Sequence, residues 1–436
     1  MGRIVSNIGS PRKHHSAPSG SVSSTGRNRV FGAVALIASA ASLGGCGNNL
    51  KGFLLPVAEG APGTSQVEMV VATTRLKADS PGEMFSGYRS REPSFADIIV
   101  SIPPPGAHQV GQVEWPKQLP GNPATDFVTL KADITDKKAA IAEFSRLLQK
   151  APKKQALVFV HGFNNRFDDA VFRFAQIVHD TGSGDEFVPV LFTWPSKGSV
   201  LAYGYDRESS SYSRDALENL LRWLASNPKV DQVTVLAHSM GNWVTLEALR
   251  QMAIRDGRVA AKIRTVLLAA PDVDVDLARE QIATMGPERP NFILFLSEND
   301  RALAVSRELW GGPRLGAIDP YVEPFKTDLA REKIQVVNLT NFQSTDKFDH
   351  GTYAGNPKAV AILGQSLESG QTLTDSRVGL GERIMTTTAG AASSIGHAAS
   401  LVVTAPVAVV DPMTREHFSD EVDAFTHSVN SAAAPQ

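Results

Sequence analysis

The residues best placed to do chemistry are Ala237-His238-Ser239-Met240-Gly241. They lie between an apolar run, Val233–Leu236, and an amphipathic segment, Met240–Met252. A serine on a strand-to-helix turn, with small residues two places before and two after, has the G-x-S-x-G pattern of a nucleophile elbow, here with alanine in the first glycine place. Small residues are needed because the turn brings its backbone against neighbouring strands. The turn exposes the Ser239 hydroxyl and aims the Met240 amide at the oxygen of a reacting carbonyl. A hydroxyl is a weak nucleophile until a base takes its proton and an acid orients that base. In elbows of this kind the chain order is serine, acid, histidine. His350, His397, His417 and His427 follow Ser239, and the last three lie in or beyond a low-complexity tail. Elimination selects His350 as the base. Asp300 and Asp272 both follow apolar runs closely. Asp300, after the second run beyond the nucleophile strand, is preferred, and Asp272 is the alternative acid. A second oxyanion donor is expected after an earlier run, in His161-Gly162-Phe163, where Gly162 allows a tight turn and the Phe163 amide points inward. One such donor is worth roughly 2.7–4 kcal/mol of barrier. His161 itself reads as a buried structural histidine, and His238 as a packing neighbour. The alternating Asp272, Asp274 and Asp276 do not make a calcium loop of the EF-hand type, because Leu277 and Ala283 stand where glycine and glutamate are required.

These residues need a scaffold that brings strand ends together. Short apolar runs at Ala156–Val160, Phe187–Phe192, Val233–Leu236, Val266–Leu268, Phe292–Leu296 and Ile334–Leu339 are separated by stretches of helical periodicity, among them Asp168–His179, Ser213–Ala225 and Met240–Met252. Continuous apolar strands alternating with amphipathic helices predict an α/β fold, a mostly parallel sheet with helices on both faces. Upstream, Val67–Ala72 and Phe95–Val100 read as strands, 106–127 as loop-rich, and Thr135–Lys150 as a helix.

The chain has 436 residues, with 43 basic against 45 acidic side chains, a balance that argues against nucleic acid as a partner. Its single cysteine, Cys46, excludes an intramolecular disulfide. Five of the basic residues and no acid fall within 1–45, where Arg27 and Arg29 precede the uncharged run Val30–Gly45. That run is short for a membrane span. It ends in Leu43-Gly44-Gly45-Cys46, which resembles the lipobox of a bacterial lipoprotein signal peptide. The resemblance implies cleavage before Cys46, lipidation of Cys46 and membrane anchoring in the bacterial cell envelope. The expected organisation is therefore a leader over 1–45, a tether over 46–65, one catalytic domain over 66–365, and a low-complexity tail over 366–436 that is partly helical at most.

Taken together, Val71-Ala72-Thr73-Thr74-Arg75, His161–Asn165, Thr193-Trp194-Pro195-Ser196, Ala237–Asn242, Ala270-Pro271-Asp272 and Ser297–Leu303 resemble a bacterial α/β-hydrolase family of unknown function, esterase- or lipase-like in character. The resemblance spans about residues 66–365. It implies the α/β-hydrolase fold and the triad Ser239, Asp300 and His350, and adds little on substrate. The ordered residues themselves lead to the expectation of a small-molecule or lipid ester as substrate, with neither metal nor organic cofactor. Tyr203 and Asp206 match a Tyr-x-x-Asp element of the family, for which a structural role is expected. A binding protein without catalysis and an acyltransferase on the same triad are the competing readings.

Overall fold

The computed structural model describes residues 51–369, apart from Ser183, Asp185 and Thr345. The expected leader, Cys46 and the tail from residue 370 lie outside the described residues. Among those described, nine strands form one sheet in the order β3-β2-β1-β5-β4-β6-β7-β8-β9. They are β1 (Ser65–Lys77), β2 (Phe85–Ile102), β3 (Val128–Thr135), β4 (Gln155–Val160), β5 (Phe187–Thr193), β6 (Gln232–His238), β7 (Ile263–Ala269), β8 (Asn291–Leu296) and β9 (Gln335–Asn338). β1, β2 and β3 pair antiparallel, and every pairing from β1·β5 to β8·β9 is parallel. The helices are α1 (Lys137–Lys150), α2 (Phe167–Asp180), α3 (Tyr203–Tyr212), α4 (Arg214–Ser226), α5 (Gly241–Asp256), α6 (Val275–Thr284), α7 (Arg301–Trp310), α8 (Phe325–Arg331), α9 (Thr352–Gly355) and α10 (Pro357–Ser369).

The period-two alternation of each strand divides the core into two layers. Ala156, Val158 and Val160 of β4, Val233, Val235 and Ala237 of β6, and Val266 and Leu268 of β7 pack with Phe144 of α1, Leu217, Leu221 and Leu224 of α4, and Val244, Leu246 and Leu249 of α5. The opposite faces of those strands, Leu157, Phe159, Leu236 and Leu267, pack with Phe167, Phe172 and Phe174 of α2 and Ile362, Leu363 and Leu367 of α10. Because both faces are covered, the parallel strands read as unbroken apolar runs. Local chemistry sets the helix ends. Asp136 accepts the Ala139 amide at 2.8 Å to start α1, and Gly257, with φ of 76°, stops α5 in the left-handed conformation.

The mostly parallel sheet is as expected, but four details differ. β1 and β2 are longer than their apolar cores, because the hairpin continues through a polar stretch that carries no hydrophobic signal and pairs Arg75 with Arg89. β3 has no counterpart in the sequence reading, since it is a half-exposed edge strand, Val-Thr-Leu-Lys-Ala-Asp-Ile-Thr. The described part of the expected tether, from Lys51 onward, is packed rather than free. Phe53 and Leu54 are buried, and the Phe53 ring meets Trp115 edge-on at 5.0 Å. Two large apolar side chains there outweigh the Gly/Pro texture around them. At the other end α10 runs to Ser369 with Leu367 buried, so the domain continues past residue 365.

Candidate active site

The site forms at the carboxyl ends of β4, β6, β7, β8 and β9. Ser239 follows β6 with φ of 53°, the left-handed region that a side chain adopts only under constraint. The constraint is visible in its backbone. Its N–H donates to the Ala269 carbonyl at 2.9 Å, and its carbonyl accepts from the amides of Asn242 at 3.1 Å and Asp272 at 3.2 Å and from Asn242 Nδ2 at 3.0 Å. Gly241 passes so close to β4 that an added Cβ would stand 2.5 Å from the carbonyl oxygens of both Val160 and His161. Gly162 is equally confined, with a built Cβ 2.8 Å from that of Ser239. These contacts explain why small residues flank the serine.

Asp300 ends the loop after β8 and divides its carboxylate between two tasks. Oδ1 accepts the Leu303 amide at 2.9 Å and caps α7, while Oδ2 accepts from His350 Nδ1 at 2.6 Å. The helix N-terminus stabilises the negative charge that the histidine faces. Asp300 is buried, and the His350 side chain is 19% exposed. Burial opposes the imidazolium of His350, but the charge and hydrogen bond of Asp300 outweigh it and raise the group above its ordinary value. The loop carrying His350 is preformed. Asp346 accepts the amides of Phe348 at 2.7 Å, His350 at 3.2 Å and Gly351 at 2.5 Å, and the Phe348 carbonyl accepts the Arg301 amide at 2.9 Å. No hydrogen bond joins Ser239 Oγ to His350 among the described residues. Such bonds are often long without a substrate and shorten in the complex.

Asp272 is engaged elsewhere. Its Oδ2 accepts from the Tyr203 hydroxyl at 2.7 Å, its Oδ1 from Ser306 Oγ at 2.6 Å, and buried Arg314 lies 3.6 Å away. The geometry pairs His350 with Asp300 and holds Asp272 in a structural network tying α3 to α7. Asp274 is the N-cap of α6, its side chain accepting from the Asp276 and Leu277 amides.

Neither Phe163 N–H nor Met240 N–H has an intramolecular acceptor among the described residues, so both are available to an oxyanion. The loop holding Phe163 is supported from below. His161 Nε2 accepts the Trp194 amide at 3.1 Å, its Nδ1 donates to the Gly162 carbonyl at 2.8 Å, and its ring stacks on Trp194 at 4.8 Å. Complete burial, reinforced by the nearby Arg75 cation, lowers His161 to about 3, so it stays neutral and structural. His238 is half-buried between His350 and Tyr353, with ring separations of 4.8 and 4.7 Å, and desolvation holds it well below its ordinary value.

Asp206 accepts from Ser196 Oγ at 2.5 Å and from the amides of Lys197 at 2.9 Å and Asn164 at 3.3 Å, linking the Phe163 loop to the loop after β5. Arg75, fully buried, donates to the carbonyls of Asn165 at 2.8 Å and Ser196 at 3.0 Å. Desolvation lowers its guanidinium to about 10, with Asp206 opposing the shift. Sequence reasoning missed Asp346, Ser306 and Arg314. Only Asp346 carries a local signal, an Asx-type turn just before His350. Phe163, Tyr203 and Trp310 form an aromatic row leading away from the loop, with successive centroids 5.1 and 5.4 Å apart. Two surface hollows of about 660 and 780 Å³ lie elsewhere and include neither Ser239 nor His350 in their walls.

A family model described as alpha/beta hydrolase of unknown function (DUF900) matches residues 136–367. An uncharacterized protein of Nostoc sp., alr1448, is 28% identical over 151 residues, 29% of this chain and 39% of that protein. The chain thus spans about two fifths of the length of that curated relative. Among solved structures, a lipase-esterase related protein from Clostridium acetobutylicum is similar at 11% identity and a TM-score of 0.29, over 50% of this chain and 96% of that one. A fungal esterase from Rhizomucor miehei is similar at 12% identity and a TM-score of 0.31, over 81% and 93% respectively.

Proposed function

The chain belongs to the family of alpha/beta hydrolases of unknown function, and from that membership we propose that it is a serine hydrolase cleaving carboxylic esters. Ser239 attacks the ester carbonyl. His350 takes the hydroxyl proton and passes it to the leaving alcohol, and Asp300 orients and stabilises the imidazolium. The amides of Phe163 and Met240 hold the oxyanion. Water, deprotonated by His350, then attacks the acyl-Ser239 ester, and the carboxylic acid leaves as the serine recovers its proton. The observation that carries this reading is the 2.6 Å bond between His350 Nδ1 and Asp300 Oδ2, at the same sheet edge as the left-handed Ser239. The aromatic row from Phe163 to Trp310 supports a substrate with an apolar arm.

We further propose that Cys46 is lipidated and tethers the domain to a membrane of the bacterial envelope, on the strength of Leu43-Gly44-Gly45-Cys46 alone. The catalytic reading is tested with p-nitrophenyl esters of increasing chain length and a fluorophosphonate probe. Wild-type protein should hydrolyse the esters and take up one label, and Ser239→Ala should take up none while losing activity by roughly 10³-fold or more. An unlabelled wild type, or full hydrolysis by Ser239→Ala, overturns the proposal.

A further inference from the structure

Far from Ser239, at the opposite end of α2, four side chains from distant parts of the chain converge. His108 Nε2 and His179 Nδ1 both meet one oxygen, Oδ1 of Asp180, at 2.6 and 2.8 Å. His108 Nδ1 meets Glu114 Oε2 at 2.7 Å. The two imidazoles are 5.1 Å apart, and the three ligand atoms of His108, His179 and Asp180 lie within 4.8 Å of one another. We propose that this cluster is a binding site for a divalent transition ion of the zinc type, with His108 Nε2, His179 Nδ1 and Asp180 as ligands, Glu114 orienting His108, and water in the fourth position.

Three observations carry the assignment. The first is charge. With neutral imidazoles, Asp180 and Glu114 place two negative charges at a site where the His108 side chain is 5% and the Asp180 side chain 0% exposed, which a divalent ion would balance. The neighbouring cation, Arg173, is occupied by the Gly111 carbonyl and Gln176. The second is the outer shell. A histidine that donates its second ring nitrogen to a carboxylate is the usual partner arrangement of a metal ligand. Asp180 Oδ2 is likewise fixed, accepting from the Gly111 amide at 2.7 Å and Gln176 Nε2 at 2.8 Å, which leaves Oδ1 for the ion. Tetrahedral ligation at zinc distances needs ligand atoms about 3.3 Å apart, so each histidine-to-Asp180 contact opens by well under 1 Å, while the two imidazole nitrogens, within 4.8 Å of each other, settle to the same spacing. The third is access. The His179 side chain is 29% exposed and borders a surface hollow of about 660 Å³, a route by which a hydrated ion enters.

The site would act as a staple. It would join the segment around 108–114 to the end of α2, and that segment lies directly behind α9, the helix after His350. Gly111 passes so close to Gly355 that a Cβ would collide with its carbonyl, and Gln176 Nε2 also donates to the Ala354 carbonyl at 3.2 Å. Occupancy should therefore raise stability without entering the ester chemistry.

The test uses the full chain, stripped with EDTA and desalted, then titrated with ZnCl₂ by calorimetry beside His179→Gln and Glu114→Gln. Circular dichroism checks that each variant is folded. Because His14, His15, His397, His417 and His427 offer zinc other imidazoles, the readout is the difference between proteins. Wild type should bind one more equivalent than His179→Gln and gain Tm on zinc addition where that variant does not. Glu114→Gln should keep the equivalent with roughly 10–100-fold weaker affinity. Equal stoichiometry and affinity in wild type and His179→Gln would mean a cluster held by protons alone, and would overturn the proposal. Should His179→Gln fail to fold, unchanged zinc affinity in Glu114→Gln overturns it equally.

Discussion

Replacing Gly241 by alanine should damage stability and catalysis through one displacement. The added Cβ would stand 2.5 Å from two backbone oxygens, those of Val160 and His161, where ordinary contact begins at 3.4 Å. Neither oxygen can swing aside as a side-chain atom would, because both are main-chain atoms, one of the last residue of β4 and one of the residue that follows it. Either that turn or the start of α5 must yield by about 0.9 Å in total. Overpacking of this kind costs about 1–3 kcal/mol, and each kcal/mol lowers Tm by roughly 2–4 °C in a domain of this size. The same shift moves His161-Gly162-Phe163, and misplacing a catalytic amide by about 1 Å costs on the order of 10²-fold in rate. Calorimetric Tm and kcat on p-nitrophenyl butyrate measure both consequences. Ala237→Gly is the control, since it adds no atoms and should leave kcat within a few-fold of wild type. A Gly241→Ala protein with wild-type Tm and kcat would refute the close approach and the reasoning built on it.

Asp300→Asn should lower kcat by roughly 10⁴-fold and move the acid limb of kcat/KM to lower pH. Activity needs neutral His350, which Asp300 holds above its ordinary value, so losing the carboxylate extends the neutral form downward; an unmoved acid limb would count against the pairing. Asp272→Asn should move that limb less and instead reduce urea stability, because an amide offers Tyr203 and Ser306 one acceptor oxygen in place of two and leaves buried Arg314 without its counter-charge. His161, neutral down to about 3, should make the fold acid-sensitive. The unfolded chain takes up that proton near pH 6.5, so stability is full above that value and falls by about 1.4 kcal/mol per pH unit between it and the folded value. His161→Gln should flatten this dependence in urea melts at pH 7 and 5, and an identical slope in both proteins would contradict it.

Much of the site is legible along the chain because elbows, caps and strand ends are local. The Ser239 turn and its Gly241 follow from short-range pattern, the expectation of His350 rests on the chain order of such elbows and on elimination, and the parallel strands declare themselves through unbroken apolar runs. Choosing between Asp300 and Asp272 needs the structure, since both follow strands and differ only in which neighbour each faces. The Tyr203–Asp272–Ser306–Arg314 network joins four segments with no characteristic spacing. The same holds for His108, Glu114, His179 and Asp180, whose convergence depends on how the loop before β3 folds over α2. β3 escaped notice because a half-exposed edge strand carries too little apolar alternation to register. Phe53 and Leu54 were hidden by the flexible composition around them.

Arg75 lies on β1, outside residues 136–367, yet its guanidinium grips the Asn165 and Ser196 carbonyls behind the oxyanion loop and faces Asp206. A fragment trimmed to start at residue 136 would retain every proposed catalytic group and lose this counter-charge. Buried Asp206 would then stand without its cation, and the edge of β5 that pairs with β1 would be bare. The folded unit of this chain therefore begins upstream of residue 136, and the N-terminal hairpin is as much a part of it as the strand that carries Ser239.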